Sequence, residues 1–308
     1  MLLAYSPEFV THPYFRCASY CILFISTLYL YGGLNRQDIQ SVRRRIFSAS
    51  ISCLLILLDT ITFVRRPNAK GLSLTLLELS RVHLKLEGLG TALFVPSSVT
   101  LLLFMGPLFS EYRARYYYRA SGKCSVSKFP HLISDWLREC YYTLDWRWLR
   151  TVIVAPCVEE LIFRGCILFH LKRELKSCCS LCLASAGFFA VSHFHHVFEK
   201  IHAGYSWKSA IKSCTAQVLL TAFFGTYSTF IVLRTGNLLA ACMVHAICNQ
   251  FGLPDLRAEI HLAEMRDGAR GKVLYLAILV AGLFGWMLLI LPATSPHLFS
   301  NNSPFCYT

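Results

Sequence analysis

Apolar residues in this chain come in long, nearly unbroken blocks and not in the stripes of an amphipathic helix. Blocks of about 20 residues can cross the hydrocarbon core of a bilayer as α-helices. The pattern predicts eight crossings, at residues 17–34, 46–64, 90–110, 149–171, 178–198, 213–233, 236–251 and 273–292. The seventh is short, which is tolerated when a helix is buried within a bundle. The predicted fold is an all-α polytopic membrane protein, a bundle of about eight transmembrane helices.

Two further stretches mix apolar residues with charged or aromatic ones, and we expect both at the membrane surface. Residues 72–89 combine leucines with charges such as Glu78 and Arg81, as an amphipathic helix at the interface does. Residues 129–150 are rich in Trp and Tyr, which favour the level of the lipid headgroups.

The composition is that of a membrane protein. Of the 308 residues, 55% are hydrophobic and only 15% are charged, and the mean hydropathy is +0.48. A soluble domain of this length carries more charge. The length fits one integral membrane domain over residues 1–308, with little left for a soluble domain.

The formal net charge of +13 would suggest nucleic acid as a partner if the protein were soluble. Here the basic residues lie in the loops between apolar blocks, where they set topology and meet anionic lipid headgroups. We therefore expect the lipid bilayer and no nucleic acid as a partner. The loops on one predicted side carry 19 basic residues, and the other side, with both termini, carries 10. This bias predicts lumenal termini, although Arg65, Arg66 and Lys70 argue against it.

Most of the 14 cysteines lie within apolar blocks, where cysteine behaves as a small hydrophobe: Cys17, Cys21, Cys53, Cys157, Cys166, Cys214, Cys242 and Cys248. The run Cys178-Cys179-Ser180-Leu181-Cys182 contains a Cys-x-x-Cys pair, a spacing found in redox and metal sites. A single pair is a weak signal, so we interpret this run as packing too.

Two adjacent glutamates inside the fourth apolar block are the first candidates for function. A charge at membrane depth is costly and usually faces a protein interior or a wet cavity. Glu160 and Arg164 are four residues apart and share a helix face, with the acid before the base. Glu159 is turned about 100° away from that pair. Because one ion pair would suffice for packing, the second acid favours a functional role.

Three histidines close the fifth apolar block, in Phe189-Ala190-Val191-Ser192-His193-Phe194-His195-His196. A metal site is one interpretation, but adjacent positions spread the rings of His195 and His196 onto different helix faces. We expect one functional histidine, His193, which is the deepest in the block. The other two are expected around the site or at the interface.

His245 and Asn249 are also four residues apart and share a helix face. Together they offer hydrogen-bond donors in a fixed geometry, as a developing oxyanion requires. A hydrogen bond between helices explains them equally well. Asp59, a lone acid near the end of the second block, is expected to be a structural or interfacial partner.

The motifs Glu-Glu-x-x-x-Arg, Phe-x-x-x-His and His-x-x-x-Asn, in this order, resemble those of the type II CAAX prenyl endopeptidases, the Ras-converting enzymes of the endoplasmic reticulum. The resemblance is strongest at 150–252, which we take as the catalytic core helices. It implies a conical intramembrane catalytic cavity that opens to the cytosol from the endoplasmic reticulum membrane. It also implies removal of the C-terminal AAX tripeptide from farnesylated or geranylgeranylated CAAX proteins, such as Ras-like small GTPases.

The resemblance implies a role for each motif residue. It assigns water activation to Glu159 and His193. It assigns oxyanion stabilisation to His245 and Asn249. Glu160 and Arg164 are expected to shape the site and the pocket for the substrate's C-terminal end. Peptide hydrolysis needs a base for water, donors for the oxyanion and a proton for the leaving amine, and these residue types supply them. No cofactor is expected.

Three alternatives stay open. Glu159, His193 and His245 could form a His₂Glu zinc set, although the His-Glu-x-x-His spacing is absent. Buried carboxylates and histidines also mark transporters and proton relays, although no internal repeat is evident. In a scaffold without activity the polar residues would serve helix packing, and Glu159→Ala would then harm folding and not turnover selectively.

Overall fold

The computed structural model describes residues 12–31, 38–64, 76–120, 145–301 and 305–306, and their regular structure is entirely helical. In chain order the helices are α1 Pro13–Leu30, α2 Ile39–Val64, α3 Leu76–Arg81, α4 Leu89–Leu102, α5 Met105–Ala120, α6 (146–174), α7 Cys178–Ser192, α8 His196–His202, α9 Trp207–Thr235, α10 Leu238–Phe251 and α11 Leu256–Ala293. Short 3₁₀ turns lie at His193–His195 and Pro296–Phe299. The all-α prediction is confirmed.

Four helical stretches are long and apolar enough to cross a membrane: Ile39–Phe63, Cys178–His202, Trp207–Thr235 and Leu256–Ala293. The α4–α5 pair adds a fifth if it is one broken span, since the two helices are bent by 76° at their junction. The described residues therefore show a polytopic helical bundle with four or five candidate spans, and the predicted number of eight is not reached.

The other three predicted crossings fall on α1, α6 and α10. α1 has 18 residues, and α6 is interrupted by changes of helix type. α10 has only 14 residues, about 21 Å at 1.5 Å per residue, which is less than the hydrocarbon core of about 30 Å. A helix of this length reaches only part of the way across a bilayer.

The two predicted surface helices are only partly covered by the described residues. Residues 72–75 and 129–144 lie outside them. Of the first stretch, Leu76–Arg81 is helical and turns follow, so this part is shorter than predicted. Of the second, residues 146–150 form the start of α6.

α6 carries both glutamates and changes its winding four times. It is α-helical at Trp146–Trp148, Ala155–Glu160 and Leu168–Glu174, and π-helical at Leu149–Val154 and Leu161–Ile167. Its start is capped by Asp145, whose carboxylate accepts a hydrogen bond of 2.7 Å from the Trp148 backbone N–H. π-Helical turns are rare and occur frequently at functional sites. The glutamate pair thus lies on one short α-helical segment between two wider ones.

The middle of α6 is the centre of the bundle. Ile162, Phe163, Ile167 and Leu168 are completely buried and pack against residues of α1, α2, α7, α9 and α10 in one continuous apolar core. α11 is at the periphery, because only 11% of its most apolar window is buried inside the protein. This middle stretch of α6, residues 162–168, is therefore shielded from lipid, while α11 presents an apolar surface to it.

The two ends of the bundle carry different contacts. At one end, Arg234 of α9 donates to the Cys306 carbonyl at 2.7 Å, and Lys172 lies 2.6 Å from the His83 ring. At the other end, Arg45 pairs with Glu199 at 2.7 Å. The second end is the one that carries the start of α6.

The cysteine interpretation is wrong at one position. Cys178 forms a disulfide with Cys306, with a Cα–Cα distance of 5.1 Å. The two residues are 128 positions apart, so sequence spacing gave no signal. Of the eight cysteines predicted to pack, six are buried, Cys157 is exposed and Cys248 is half-buried.

Asp59 has the structural role that the sequence predicts. Its Oδ2 atom accepts a hydrogen bond of 2.6 Å from Arg16 and one of 2.5 Å from the Tyr20 hydroxyl. These contacts join α2 to α1 at the end of the bundle that also holds the disulfide.

Candidate active site

A cavity of about 250 Å³ brings four of the six predicted site residues together: Glu159, His193, His245 and Asn249. Arg45 and Arg150 also line it, and we call it the polar cavity. Glu160 and Arg164 do not line it, because both side chains are completely buried behind its wall. The neighbouring glutamates therefore face different surroundings, as the helix geometry predicts.

Glu160 is the centre of a buried hydrogen-bond network. Its Oε1 atom accepts from Arg164 at 3.2 Å and from His245 Nδ1 at 2.7 Å, and its Oε2 atom accepts from the Ser228 hydroxyl at 2.6 Å. A buried carboxylate is stable only when it is paired and hydrogen-bonded, and this one has both. The network ties α6 to α9 and α10. The predicted Glu160–Arg164 pair is present.

Arg164 is completely buried, and of its three guanidinium nitrogens only Nη1 has a hydrogen-bond partner among the described residues. Its guanidinium carbon lies 4.2 Å from the centroid of the Phe189 ring, in a cation–π contact. On the other side α9 approaches at Gly225, where an added Cβ would lie 3.1 Å from Arg164 Nη2 and 3.1 Å from the Ala186 Cα atom. A side chain at this position would require α7 and the Arg164 side chain to move by a few tenths of an ångström.

His245 bridges the two glutamates. A carboxylate only accepts hydrogen bonds, so the contact with Glu160 places a proton on Nδ1 of the ring. The other nitrogen, Nε2, lies 3.9 Å from Glu159 Oε2. The ring centroid of Phe224 lies 4.6 Å away and helps to fix the imidazole plane. Nε2 is thereby directed to the cavity side of the site.

His193 has its tautomer fixed by the backbone. Its Nδ1 atom lies 2.8 Å from the Phe189 carbonyl oxygen, four residues earlier on α7. Because a carbonyl only accepts, Nδ1 carries the proton, and the neutral ring keeps a lone pair on Nε2. The Phe189 ring lies edge-on, 4.6 Å away between centroids. The Phe-x-x-x-His spacing therefore fixes both the tautomer and the orientation of the imidazole.

Asn249 is held by an interruption in α6. The Ala155 N–H bonds the Arg150 carbonyl, five residues back. The next N–H would serve the Thr151 carbonyl, but Pro156 has none. That carbonyl accepts a hydrogen bond of 2.9 Å from Asn249 Nδ2 instead. A primary amide has two N–H donors, so this bond leaves one for another acceptor.

The other two histidines, His195 and His196, also line the polar cavity. His196 Nδ1 lies 2.7 Å from Glu199 Oε2, and the second oxygen of Glu199 pairs with Arg45 at 2.7 Å. His195 Nδ1 contacts the Ser192 carbonyl. These contacts agree with the expectation that both lie around the site.

Compact groups of three or more metal-ligand side chains occur twice in the part of the chain that the structure describes. They are His195, His196 and Glu199, and Cys178, Cys182 and Cys306. Neither group contains a residue of the zinc set predicted as an alternative, Glu159, His193 and His245. The arrangement of donor atoms thus does not favour that set as a zinc site.

A second, larger cavity of about 730 Å³ adjoins the first, and His193, Gln217, His245 and Asn249 line both. Its remaining wall is mostly apolar, with side chains such as Leu220, Phe224, Leu253, Leu279 and Leu283. We call it the apolar cavity. The candidate site therefore lies where a polar and an apolar cavity meet.

Besides Arg45 and Arg150, which the sequence analysis counted only as loop charges, sequence reasoning missed two polar residues at the site. Gln217 lines both cavities and is an amide within an apolar block, the same signal that marked Asn249. Ser228 bonds Glu160, but it stands among several Ser and Thr residues of α9, and no spacing sets it apart. The first could have been found from the sequence and the second could not.

Comparison with known proteins agrees with the motif resemblance. A family model described as type II CAAX prenyl endopeptidase Rce1-like matches residues 143–251. Human CAAX prenyl protease 2 is 30% identical over 308 aligned residues, which cover 95% of this chain and 84% of the human protein.

Two further relatives carry the same name. CAAX prenyl protease 2 of Rattus norvegicus is 27% identical over 95% of this chain and 82% of its own length. That of Saccharomyces cerevisiae is 30% identical over 44% of this chain and 47% of its own length. No solved structure matches the chain.

Proposed function

The chain belongs to the type II CAAX prenyl endopeptidases, and on that premise we propose that Glu159 and His193 activate the water that cleaves the substrate. The transporter and scaffold alternatives are set aside, because the relatives are proteases. The observation that carries the mechanism is that Glu159, His193, His245 and Asn249 line one cavity. Substrates are CAAX proteins, and we propose that the released product is the AAX tripeptide of farnesylated or geranylgeranylated ones.

Water activation needs a base whose lone pair faces the cavity. The Glu159 side chain is 18% exposed, in contrast to the fully buried Glu160. His193 keeps a lone pair on Nε2, because Nδ1 is committed to the Phe189 carbonyl. We assign proton abstraction from water to Glu159 with His193 beside it. The same groups return a proton to the leaving amine, as general acid–base catalysis of hydrolysis requires.

Oxyanion stabilisation falls to His245 and Asn249. With Nδ1 bonded to Glu160, His245 Nε2 donates a hydrogen bond only as an imidazolium. Asn249 supplies its second amide N–H, because the first donates to the Thr151 carbonyl. Fixed donors of this kind are typically worth about a hundredfold to a thousandfold in kcat.

The prenyl group is assigned to the apolar cavity. The lipid is attached to the cysteine immediately before the scissile bond, so it must lie beside the catalytic groups. The apolar cavity meets this condition, because His193, His245 and Asn249 form part of its wall. Its volume of about 730 Å³ is within the usual range for ligand pockets.

The reaction as proposed uses no metal ion. The catalytic side chains are held by protein groups: Glu160 on His245, the Phe189 carbonyl on His193 and the Thr151 carbonyl on Asn249. Turnover that survives a chelator would agree with this mechanism, and turnover that is lost and then restored by Zn²⁺ would contradict it.

The test is release of the terminal tripeptide from a farnesylated CAAX peptide by the purified protein in liposomes, followed by mass spectrometry. Glu159→Gln keeps the size of the side chain and removes the base. We expect it and His193→Ala to lose about a hundredfold to ten-thousandfold in kcat. Glu174→Gln, an exposed acid at the far end of the same helix, is the matched control. Normally inserted Glu159→Gln protein with wild-type turnover would contradict the assignment.

A further inference from the structure

Arg164, the cation of the Glu-Glu-x-x-x-Arg motif, is not placed to receive a substrate carboxylate. Its side chain is completely buried, bonds Glu160 at 3.2 Å and packs on the Phe189 ring. α9 closes the remaining side at Gly225. An incoming carboxylate would have to displace Glu160 and open this helix contact. The expectation that Arg164 shapes the pocket for the substrate's C-terminal end is therefore revised: it holds the hydrogen-bond network in place.

A substrate of the proposed reaction nevertheless brings a carboxylate with it. A tripeptide that is cleaved from a C-terminus ends in an ionised α-carboxylate, and removing that charge from water is costly unless a cation pairs with it. Planar guanidinium groups bind carboxylates in bidentate fashion. Among the described residues that line the polar cavity, two arginines remain, Arg45 and Arg150.

Arg45 is already engaged in a buried ion pair. Its side chain is 6% exposed and lies 2.7 Å from Glu199, whose other oxygen contacts His196. Binding a substrate at Arg45 would break this pair. Arg150 is half-buried in the cavity wall, at the start of α6. Because more of its side chain is exposed than the 6% of Arg45, Arg150 is the more accessible of the two to a substrate.

The position of Arg150 also matches the length of the tripeptide. It precedes Glu159 by nine residues, at most about 13 Å along a helix at 1.5 Å per residue. Three extended residues span about 10 Å, and an arginine side chain covers the rest. Arg150 Nη2 lies 3.4 Å from the Thr151 hydroxyl, and the carbonyl of Thr151 holds Asn249. The guanidinium is therefore on the side of the cavity where the oxyanion donors lie.

We propose that Arg150 binds the α-carboxylate of the substrate, so that the polar cavity takes the three departing residues while the apolar cavity takes the lipid. This inference rests on the proposed function. It makes the free C-terminus a specificity determinant. It also explains why three residues are removed, because the distance from Arg150 to the catalytic groups sets the length of the peptide that is cleaved off.

The experiment compares two farnesylated peptides that differ only at the C-terminus, one a carboxylate and the other a carboxamide. The wild-type protein should favour the carboxylate by at least about tenfold in kcat/KM, as expected for a hydrogen bond between charged groups. Arg150→Gln should raise KM for the carboxylate peptide by a similar factor and leave the carboxamide peptide unchanged. Arg150→Lys, which keeps the charge without the bidentate geometry, should retain part of the preference.

Two further variants complete the design. Arg147→Gln removes an exposed arginine one turn earlier and should behave as the wild type. Loss of the preference in Arg45→Gln but not in Arg150→Gln would assign the carboxylate to Arg45 and overturn the inference. Equal cleavage of both peptides by the wild-type protein would overturn it as well, and the proposed function would stand. Failure of the wild-type protein to cleave either peptide would contradict the proposed function itself.

Discussion

Glu159 and Glu160 are neighbours on α6, but their side chains have opposite surroundings. Glu160 is enclosed by three donors from Arg164, Ser228 and His245, whereas Glu159 reaches the wall of the polar cavity. A carboxylate with three donors is stabilised as an anion and is a poor base. The role of Glu160 is to orient His245, whose Nε2 atom faces Glu159. The motif thus combines one reacting acid with one orienting acid.

Ser228 is predicted to act through this orienting acid. Ser228→Ala removes a hydroxyl that lies 2.6 Å from Glu160 Oε2. A hydrogen bond to an ionised group contributes about 1.5–3 kcal/mol. We expect roughly a tenfold loss in kcat with little change in KM, because His245 is held less firmly while the cavities keep their shape. The measurement is steady-state cleavage of the farnesylated peptide by protein of matched fold.

The adjacent residue provides the control for this prediction. The Thr229 hydroxyl bonds the Gly225 carbonyl of its own helix at 2.8 Å, so Thr229→Val should leave kcat unchanged. Ser228→Thr keeps the hydroxyl and should recover part of the activity. Wild-type kcat in Ser228→Ala would show that Glu160 does not depend on this contact.

The residues that sequence reasoning could find are those whose signal is local. The Glu160–Arg164 pair follows from helix periodicity, and the structure contains it. The contacts of Glu160 with His245 and Ser228 join positions 85 and 68 residues apart, and they depend on how α9 and α10 pack. No periodicity within one helix reports such distances. The disulfide between Cys178 and Cys306 was missed for the same reason.

At the scale of helices, the site depends on irregularity. α6 is predicted from its apolar pattern, but its two π-helical segments are not. The one visible signal is Pro156, which removes an N–H from the helix ladder. Its effect is specific: the Thr151 carbonyl becomes available to Asn249 on α10.

The α9–α10 turn is predicted to be sensitive to one added methyl group. Gly236 ends α9 with φ 65°, where residues with a Cβ are disfavoured by about 1–2 kcal/mol. An added Cβ would also lie 2.7 Å from Asn301 Oδ1, while Asn301 Nδ2 bonds the Leu233 and Arg234 carbonyls at 2.9 Å each. Gly236→Ala should therefore lower the unfolding temperature in detergent by several degrees.

Gly187→Ala is the matched control for this prediction. Gly187 lies inside α7, and an added Cβ there meets no atom within 4 Å. Alanine is also the better helix former, so the variant should be at least as stable as the wild type. Both proteins should be heated at one scan rate, because membrane proteins often unfold irreversibly. A Gly236→Ala protein as stable as Gly187→Ala would show that Asn301 does not pack on this turn.

At the scale of the whole molecule, the two ends of the bundle can be assigned to opposite sides of the membrane. The disulfide lies at the end that holds Arg234 and Cys306, and the polar cavity lies toward the end with Arg45 and Arg150. Disulfides persist in the lumen of the endoplasmic reticulum and are rare in the cytosol. The charge bias of the loops, with 19 basic residues on the predicted side of Arg150, independently predicts that this side is cytosolic. We therefore expect the polar cavity to open to the cytosol.

The disulfide gives this orientation a direct test. In sealed microsomes with the cytosolic face outward, a membrane-impermeant phosphine should not reduce the bond between Cys178 and Cys306, and it should do so once detergent opens the vesicles. Free thiols are blocked first, and the thiols released by reduction are counted with a maleimide mass tag. Cys306→Ala should show two tags fewer than the wild-type protein, because it removes one partner and leaves the other to be blocked. Reduction in sealed vesicles would place this end in the cytosol and reverse the proposed orientation.

The same variant separates stability from catalysis. A disulfide that closes a long loop typically stabilises by about 2–4 kcal/mol, so Cys306→Ala should unfold at a lower temperature. Its kcat should stay at the wild-type value, because the bond is at the opposite end of the bundle from the polar cavity. Cys179→Ala removes an exposed thiol that is in no disulfide and is the control for both measurements. A Cys306→Ala protein with normal stability but reduced kcat would mean that the two ends are coupled through α6, the helix that runs between them.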